Sequence, residues 1–354
     1  MNSGAPRGSH LALAATLAVV AWAAGAQPPA PQPLPAEHAR LAAHTLLIAL
    51  AAAGERLVAV GDRGVIVLSD DRGTSWTQAA SVPAQALLTG VCFFDARHGA
   101  AVGHDEVILT TADAGDSWQL VHYAPEAQRP LLDVWCGGAG GKAIAIGAYS
   151  TYLTSADGGA SWSEQHFAPG PAPRTAGAPP AARGSSAIEE TGGGYHLNRI
   201  VGASANRLYI AGEAGHLYRS DDSGGHWQEL SSPYAGSFFD VLPLEGDALL
   251  VSGMRGNLYR SENAGASWRR LPTGTVAMLD GAAVLPGGAL TVVGLSGVVL
   301  VSRDGGRSFS LEQQGNRSGL SAALAVGRDA LVVVGEGGAR LITLGSAAGA
   351  AAER

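Results

Sequence analysis

Apolar residues along this chain fall in short unbroken runs rather than in alternation. Leu57-Val58-Ala59-Val60 and Val65-Ile66-Val67-Leu68 are apolar at every position, and Gly61-Asp62-Arg63-Gly64 lies between them. A strand with one face in water alternates, whereas a strand covered on both faces does not. A glycine-flanked pair of residues between two such runs is a hairpin signal. The pattern predicts paired strands buried on both sides. In this first unit the strands are read at 45–50, 56–61, 65–69 and 76–80.

The hairpin glycine recurs as Gly61, Gly103, Gly147, Gly212, Gly253, Gly294 and Gly335, at steps of 42, 44, 65, 41, 41 and 41 residues. Five of the seven continue as Gly-x-x-Gly. A period near 40 with about four short strands is the mark of propeller blades. The predicted fold is all-β: a seven-bladed β-propeller of four-stranded antiparallel blades. Blade seven offers only three strands, at 322–326, 330–335 and 339–344. An open ring leaves exposed strand edges, so the segment 37–43 is expected to close it as an N-terminal strand.

Polar positions carry a second repeat in phase with the first. Eight residues after each hairpin glycine comes Ser-x-Asp-x-Gly-x-Ser-Trp, written six times with small changes. An Asp carboxylate can accept bonds from nearby backbone N–H groups, the short hydroxyls bond locally, and Gly supplies the positive φ of a reversal. The Trp opens the next strand with a large apolar face. These residues are read as structural: Asp71 and Trp76, Asp113 and Trp118, Asp157 and Trp162, Asp222 and Trp227, Asn263 and Trp268, Asp304 and Phe309. Five of the seven tryptophans occupy this position, which makes them pegs rather than binding residues. In the later blades His226 replaces the small hydroxyl, Asn263 the Asp and Phe309 the Trp, each keeping part of the original role.

The remaining segments set the domain limits. Residues 1–26 read as a signal peptide, with Arg7 and His10 before an apolar run and Ala24-Gly25-Ala26 for cleavage. Residues 27–35 are a Pro-rich linker, 36–345 the propeller and 346–354 an Ala-rich tail. The long step holds a Pro-, Gly- and Ser-rich insertion at 168–195, expected to be a disordered inter-blade loop. The two cysteines, Cys92 and Cys136, fall in innermost strands one residue out of register. That register puts them on opposite strand faces and favours two buried thiols over the disulfide an exported protein invites.

Charge and motifs narrow the function. The net charge of −7, with no basic stripe, speaks against a nucleic-acid partner. Gly140-Gly141-Lys142-Ala143 lacks the leading Gly and the Ser/Thr of a phosphate loop. Asp70-Asp71 and Asp221-Asp222 lack calcium-loop spacing, and the ten histidines lack metal-ligand spacing. No cofactor and no metal are implied.

The repeated turn is the Asp-box, and the unit Gly-x-x-Gly-x-Leu-Tyr-Arg-Ser-x-Asp-x-Gly-x-x-Trp resembles the photosystem II stability/assembly factor family of Asp-box (BNR) propellers. The resemblance spans about residues 37–344. It implies a non-enzymatic assembly factor in the periplasm or thylakoid lumen, binding a membrane or exported protein client. In photosynthetic members an arginine patch does so; Arg63, Arg255, Arg219, Arg260 and Arg340 stand at matching repeat positions here. A monomer with a protein client near the membrane is expected. Two alternatives stand beside this one. Sialidase-type glycoside hydrolases also carry Asp-boxes, but on six blades and with an Arg-Ile-Pro motif that is missing here; Tyr195 with Glu189 or Glu190 would be the pair to test. A non-catalytic peptide- or glycan-binding module is the other.

Propeller topology gathers the hairpin tips and the inter-blade connections on one rim and the Asp turns on the other. The tips collect Asp62, Arg63, His104, Asp105, Glu106, Tyr149, Glu213, Met254, Arg255, Leu295 and Glu336. They vary where the turns stay constant, so this rim is the expected binding face, with Arg63 and Arg255, then Tyr149 and Glu213, as its contacts.

Overall fold

The computed structural model describes residues 32–137, 140–172 and 194–345, together with Met1 and Gly4. Two compact units are distinguished, Met1–Gln32 and Pro33–Arg354, and the account below concerns the second. Most of the predicted leader (1–26), most of the linker, residues 173–193 of the insertion and the tail (346–354) lie outside the described residues.

Seven antiparallel sheets follow one another in chain order, six of four strands and one of three. Blade one is built from Leu47–Ala53, Arg56–Gly61, Ile66–Ser69 and Thr77–Gln78, close to the strands read from its apolar runs. The second strand of every blade is buried almost throughout, as in Gly99–Gly103 and Leu249–Gly253. Its two faces meet the two neighbouring blades, which is why its sequence does not alternate.

The hairpin glycine has a steric cause. Its backbone is extended, so φ does not demand glycine; close approach does. A Cβ on Gly103 would sit 2.2 Å from the carbonyl oxygen of Leu87, and one on Gly253 would sit 2.2 Å from that of Ser237. The chain entering the innermost strand passes directly over this glycine. It accepts a hydrogen bond from the following residue, as in His104 N–H to Leu87 O at 2.9 Å and Met254 N–H to Ser237 O at 3.1 Å. Each tip is thereby tied to an inter-blade connection.

Three expectations are corrected. Residues 37–43 do not form the fourth strand of blade seven, which stays three-stranded: Leu320–Ala325, Ala330–Gly335 and Arg340–Thr343. The segment runs instead along the outer part of blade one. Gln78 holds it from both sides, donating to Glu37 O and accepting from Ala39 N–H at 2.9 Å each, and Ala42–His44 form a 3-10 turn. Only its end reaches blade seven, where Ala43 O accepts from Ala339 N–H at 2.8 Å.

Cys92 and Cys136 are joined in a disulfide with Cα atoms 5.7 Å apart. The register was read correctly, since Val91 pairs with Ala101 and Val134 with Ala145 in equivalent positions. Its consequence was inverted. Adjacent blades stack face to face, so a bridge between them needs cysteines on opposite faces of their own strands.

The start of the insertion is also ordered by contacts. Gly170 exchanges backbone hydrogen bonds with Trp227 and Glu229 of blade four, and Phe167 packs among Tyr152, Tyr218 and Trp227. Phe167 is the apolar residue that fixes where the insertion leaves the body.

Candidate functional site

The two rims of the ring are built by different local chemistry. On one, each Ser–Asp–Gly–Trp turn is closed by its own side chains. Asp71 accepts from Ser75 N–H and Oγ–H at 2.8 and 2.6 Å and from Ser69 Oγ–H at 2.8 Å, while Ser69 Oγ accepts from Gly73 N–H. The Ser75 bonds come first among the causes that hold the Asp71 carboxyl down at about 2; Ser161 does the same for Asp157. The substituted turns keep this geometry: His226 bonds Asp222 through N–H and ring, and Asn263 replaces the carboxylate with an amide that bonds Ser267 in both directions. The tryptophans pack toward the preceding blade. Trp227 Nε1–H reaches Tyr152 Oη at 3.0 Å and Trp268 Nε1–H reaches Ser231 O at 2.9 Å.

The turn rim is saturated with ion pairs. Arg56 joins Asp70 of its own blade to Asp116 of the next, and Arg207 joins Asp221 to Asp247 in the same way. Arg219 and Arg260 belong here. Arg219 pairs with Asp221 at 2.6 Å; Arg260, 5 % exposed, pairs with Glu262 and donates to Gly305 O. The structure therefore does not bring these two together with Arg63 and Arg255.

The tip rim has another character. In six blades the apex residue adopts a left-handed backbone without being glycine: Arg63, Asp105, Tyr149, Ala214, Arg255 and Ser296, with φ between 51° and 60°. Such residues carry strain of about 1–3 kcal/mol, which here is borne by the bonds from tip to connection. The six apices are equivalent in backbone and carry five different side chains, arginine occurring twice. Arg63 is 84 % exposed and only loosely approached by Asp62, at 3.9 Å. Arg255 is exposed, beside exposed Met254, and Tyr149 is 54 % exposed with its ring edge-on to His196. Val276, in the connection after blade five, is 85 % exposed and borders a cavity of about 600 Å³ lined by residues 270–276.

Other tip residues are committed elsewhere. Glu213 accepts from His196 N–H at 3.2 Å and stays half-buried. Glu106 is buried, 2 % exposed, and held by Arg129 at 2.7 Å and His122 at 3.2 Å. It follows the apex, where the chain turns inward, so its place at the tip does not make it a contact residue. Arg340 lies on the last strand of blade seven, with Nε and Nη2 buried and without a hydrogen-bond partner among the described residues. Tyr195 stacks on His216 with ring centres 4.0 Å apart, and Glu189 and Glu190 lie outside the described residues.

Sequence reasoning missed a charged cluster on the innermost strands. Asp133, Arg199 and Asp240 occupy one register position in blades three, four and five. Arg199 stands 3.4 Å from Asp133 and 3.3 Å from Asp240, although its Nε is not aligned for a hydrogen bond to Asp240. Asp133 also accepts from Ile200 N–H of the next blade at 2.9 Å. Burial pushes Asp133 up, Asp240 up to about 6, and Asp280 of the next blade up to about 7. An arginine among apolar strand residues was the available signal.

No protein-family model and no curated protein matches this chain. Solved structures do. A structure described as YCF48 bound to D1 peptide shares 15 % identity at a TM-score of 0.66, covering 86 % of this chain and 95 % of that one. YCF48 from Cyanidioschyzon merolae gives 15 % identity and a TM-score of 0.62 over 85 % and 96 %. The WD40 propeller domain of Doa1 gives 12 % and 0.59 over 88 % and 95 %. At these identities the likeness is one of fold.

Proposed function

We propose that this propeller is a non-catalytic, exported scaffold that binds a protein client, a membrane or secreted protein undergoing assembly, through its tip rim. One observation carries the reading: six tips share a single strained backbone shape and present five different side chains, arginine twice and Asp, Tyr, Ala and Ser once each. A face that only had to stay soluble has no need of a strained apex. Arg63 and Arg255 are the anchors, because each is exposed and able to grip a client carboxylate with two parallel bonds, Arg63 being only loosely approached by Asp62 at 3.9 Å. Tyr149 and Met254 add apolar area beside them. The resemblance to photosystem II assembly factors and the fold shared with a YCF48 solved with a peptide support a peptide-binding role. A disulfide between Cys92 and Cys136 suits an oxidising compartment.

The test is capture of cross-linked clients from intact cells. Arg63→Glu with Arg255→Glu should abolish capture while leaving the melting temperature unchanged. Capture that persists in this variant and is lost on changing Arg72 and Arg307 would place the working face on the turn rim.

A further inference from the structure

Among the described residues, blade seven ends in a strand with no outer partner, and a cleft runs beside it. Arg340–Thr343 pairs with Ala330–Gly335 on one side only. Its hairpin is tighter than the others, closed by Gly338 N–H to Gly335 O at 3.0 Å without the 3-10 turn of the six other blades. Ala339 N–H points away from the sheet, to Ala43 O. Main-chain groups alternate in direction along an antiparallel strand. Those of Leu341 and Thr343 therefore face the same way as Ala339 N–H, toward the empty edge.

The cleft, about 680 Å³, lies between this edge, the segment around Arg40 and His44, and the turn carrying Trp76. Leu341 is opposite Val332, on the face toward blade one, where Val332 packs so closely that a Cβ on Gly73 would sit 2.2 Å from it. Leu341 is 46 % exposed, and Trp76 is half-buried. Arg40, an exposed cation, and exposed His44 lie on the rim of the cleft, and no carboxylate among the described residues lines it.

We infer that this edge is a second binding site, one that takes an extended acidic–aliphatic segment of a partner protein as the fourth strand of blade seven. The backbone of Leu341 and Thr343 supplies the ladder bonds. Aliphatic side chains of the segment lie on Leu341 and Trp76, and its carboxylates pair with Arg40 and His44. The fourth strand of blade six, Ser310–Gln313, sets the length at about four residues. A second copy of this chain is a poorer occupant, since two-fold pairing of these edges brings like cations together. The site is distinct from the tip rim and stands or falls separately from it.

Fluorescence anisotropy of labelled eight-residue peptides tests the proposal on the exported protein. A peptide alternating valine and glutamate should bind saturably, and one alternating valine and lysine at least tenfold more weakly. Leu341→Pro removes an edge N–H and should weaken binding at least tenfold. Arg40→Glu, at an exposed residue, should reverse the preference between the two peptides with no change in melting temperature. Arg63→Glu with Arg255→Glu should bind like the parent, which separates this site from the tip rim. Equal binding in the Leu341→Pro and Arg40→Glu variants, or no binding to any form, overturns the proposal. So does binding that emerges only after removal of residues 346–354, which makes the tail the occupant. A dimer lost on Leu341→Pro in light scattering would assign the edge to a second copy and equally overturn it.

Discussion

Aspartates in this fold occupy two opposite electrostatic settings. Those of the turns (Asp71, Asp113, Asp157, Asp222 and Asp304) are held below the ordinary range, chiefly by hydrogen bonds that favour the charged form. Their contribution is present above the unfolded value and is lost as pH falls through the folded one. Asp240 and Asp280 are raised to about 6 and about 7 by burial. Their protonated forms suit the fold, so stability is lost as pH rises from about 4 through 6 to 7. Stability should therefore peak on the acid side of neutrality. The melting temperature is expected to fall between pH 5 and pH 8, and Asp280→Asn should remove much of that fall. A flat profile in the parent would show that water reaches and solvates these groups. The turn aspartates were legible in the sequence because every partner lies within four residues. The Asp133–Arg199–Asp240 cluster was not, because Arg199 stands 66 residues from Asp133 and 41 from Asp240 along the chain, and only the register of separate blades unites them.

Among elements, the hairpins were readable and the closure was not. Glycine spacing counted the seven blades, and apolar runs placed the strands of blades one and seven to within three residues, because both reflect contacts inside one hairpin or across its own connection. The role of residues 37–43 depends on what the segment meets far along the chain. Chain order made blade seven the obvious destination; Gln78 and Ala80 of blade one took it instead. Deleting residues 37–43 removes these bonds, uncovers Ala339 N–H and takes away the packing of Ala42, which is 5 % exposed in the fold. At about 1 kcal/mol per net hydrogen bond, a loss of about 2–4 kcal/mol is expected. It should be read from urea denaturation midpoints at unchanged slope. An unchanged midpoint would mean the segment only drapes the surface.

At the scale of the whole ring, blades two and three carry the covalent link. The sequence separation of 44 residues corresponds to about 4 kcal/mol of loop-closure entropy. Cys92→Ser with Cys136→Ser should cost that order of stability, and reductant should lower the parent to the same midpoint without affecting the variant. A cost under about 1 kcal/mol would show that blade packing already restrains the unfolded chain there. The pairing was hidden in the sequence because strand register speaks of one sheet, while this bridge crosses between two.

The left-handed apices have a further consequence, for how such a surface diversifies. A left-handed backbone is most costly for β-branched side chains, and none of the six apex residues is one: Arg63, Asp105, Tyr149, Ala214, Arg255 and Ser296. Main-chain bonds hold the loop whatever the apex carries, so mutation can exchange charge, aromaticity or size there without disturbing the blade beneath. Val, Ile and Thr are the letters left out. Lineages of this fold should thus drift freely at six points within a restricted alphabet, and libraries built to redirect its binding should omit those three.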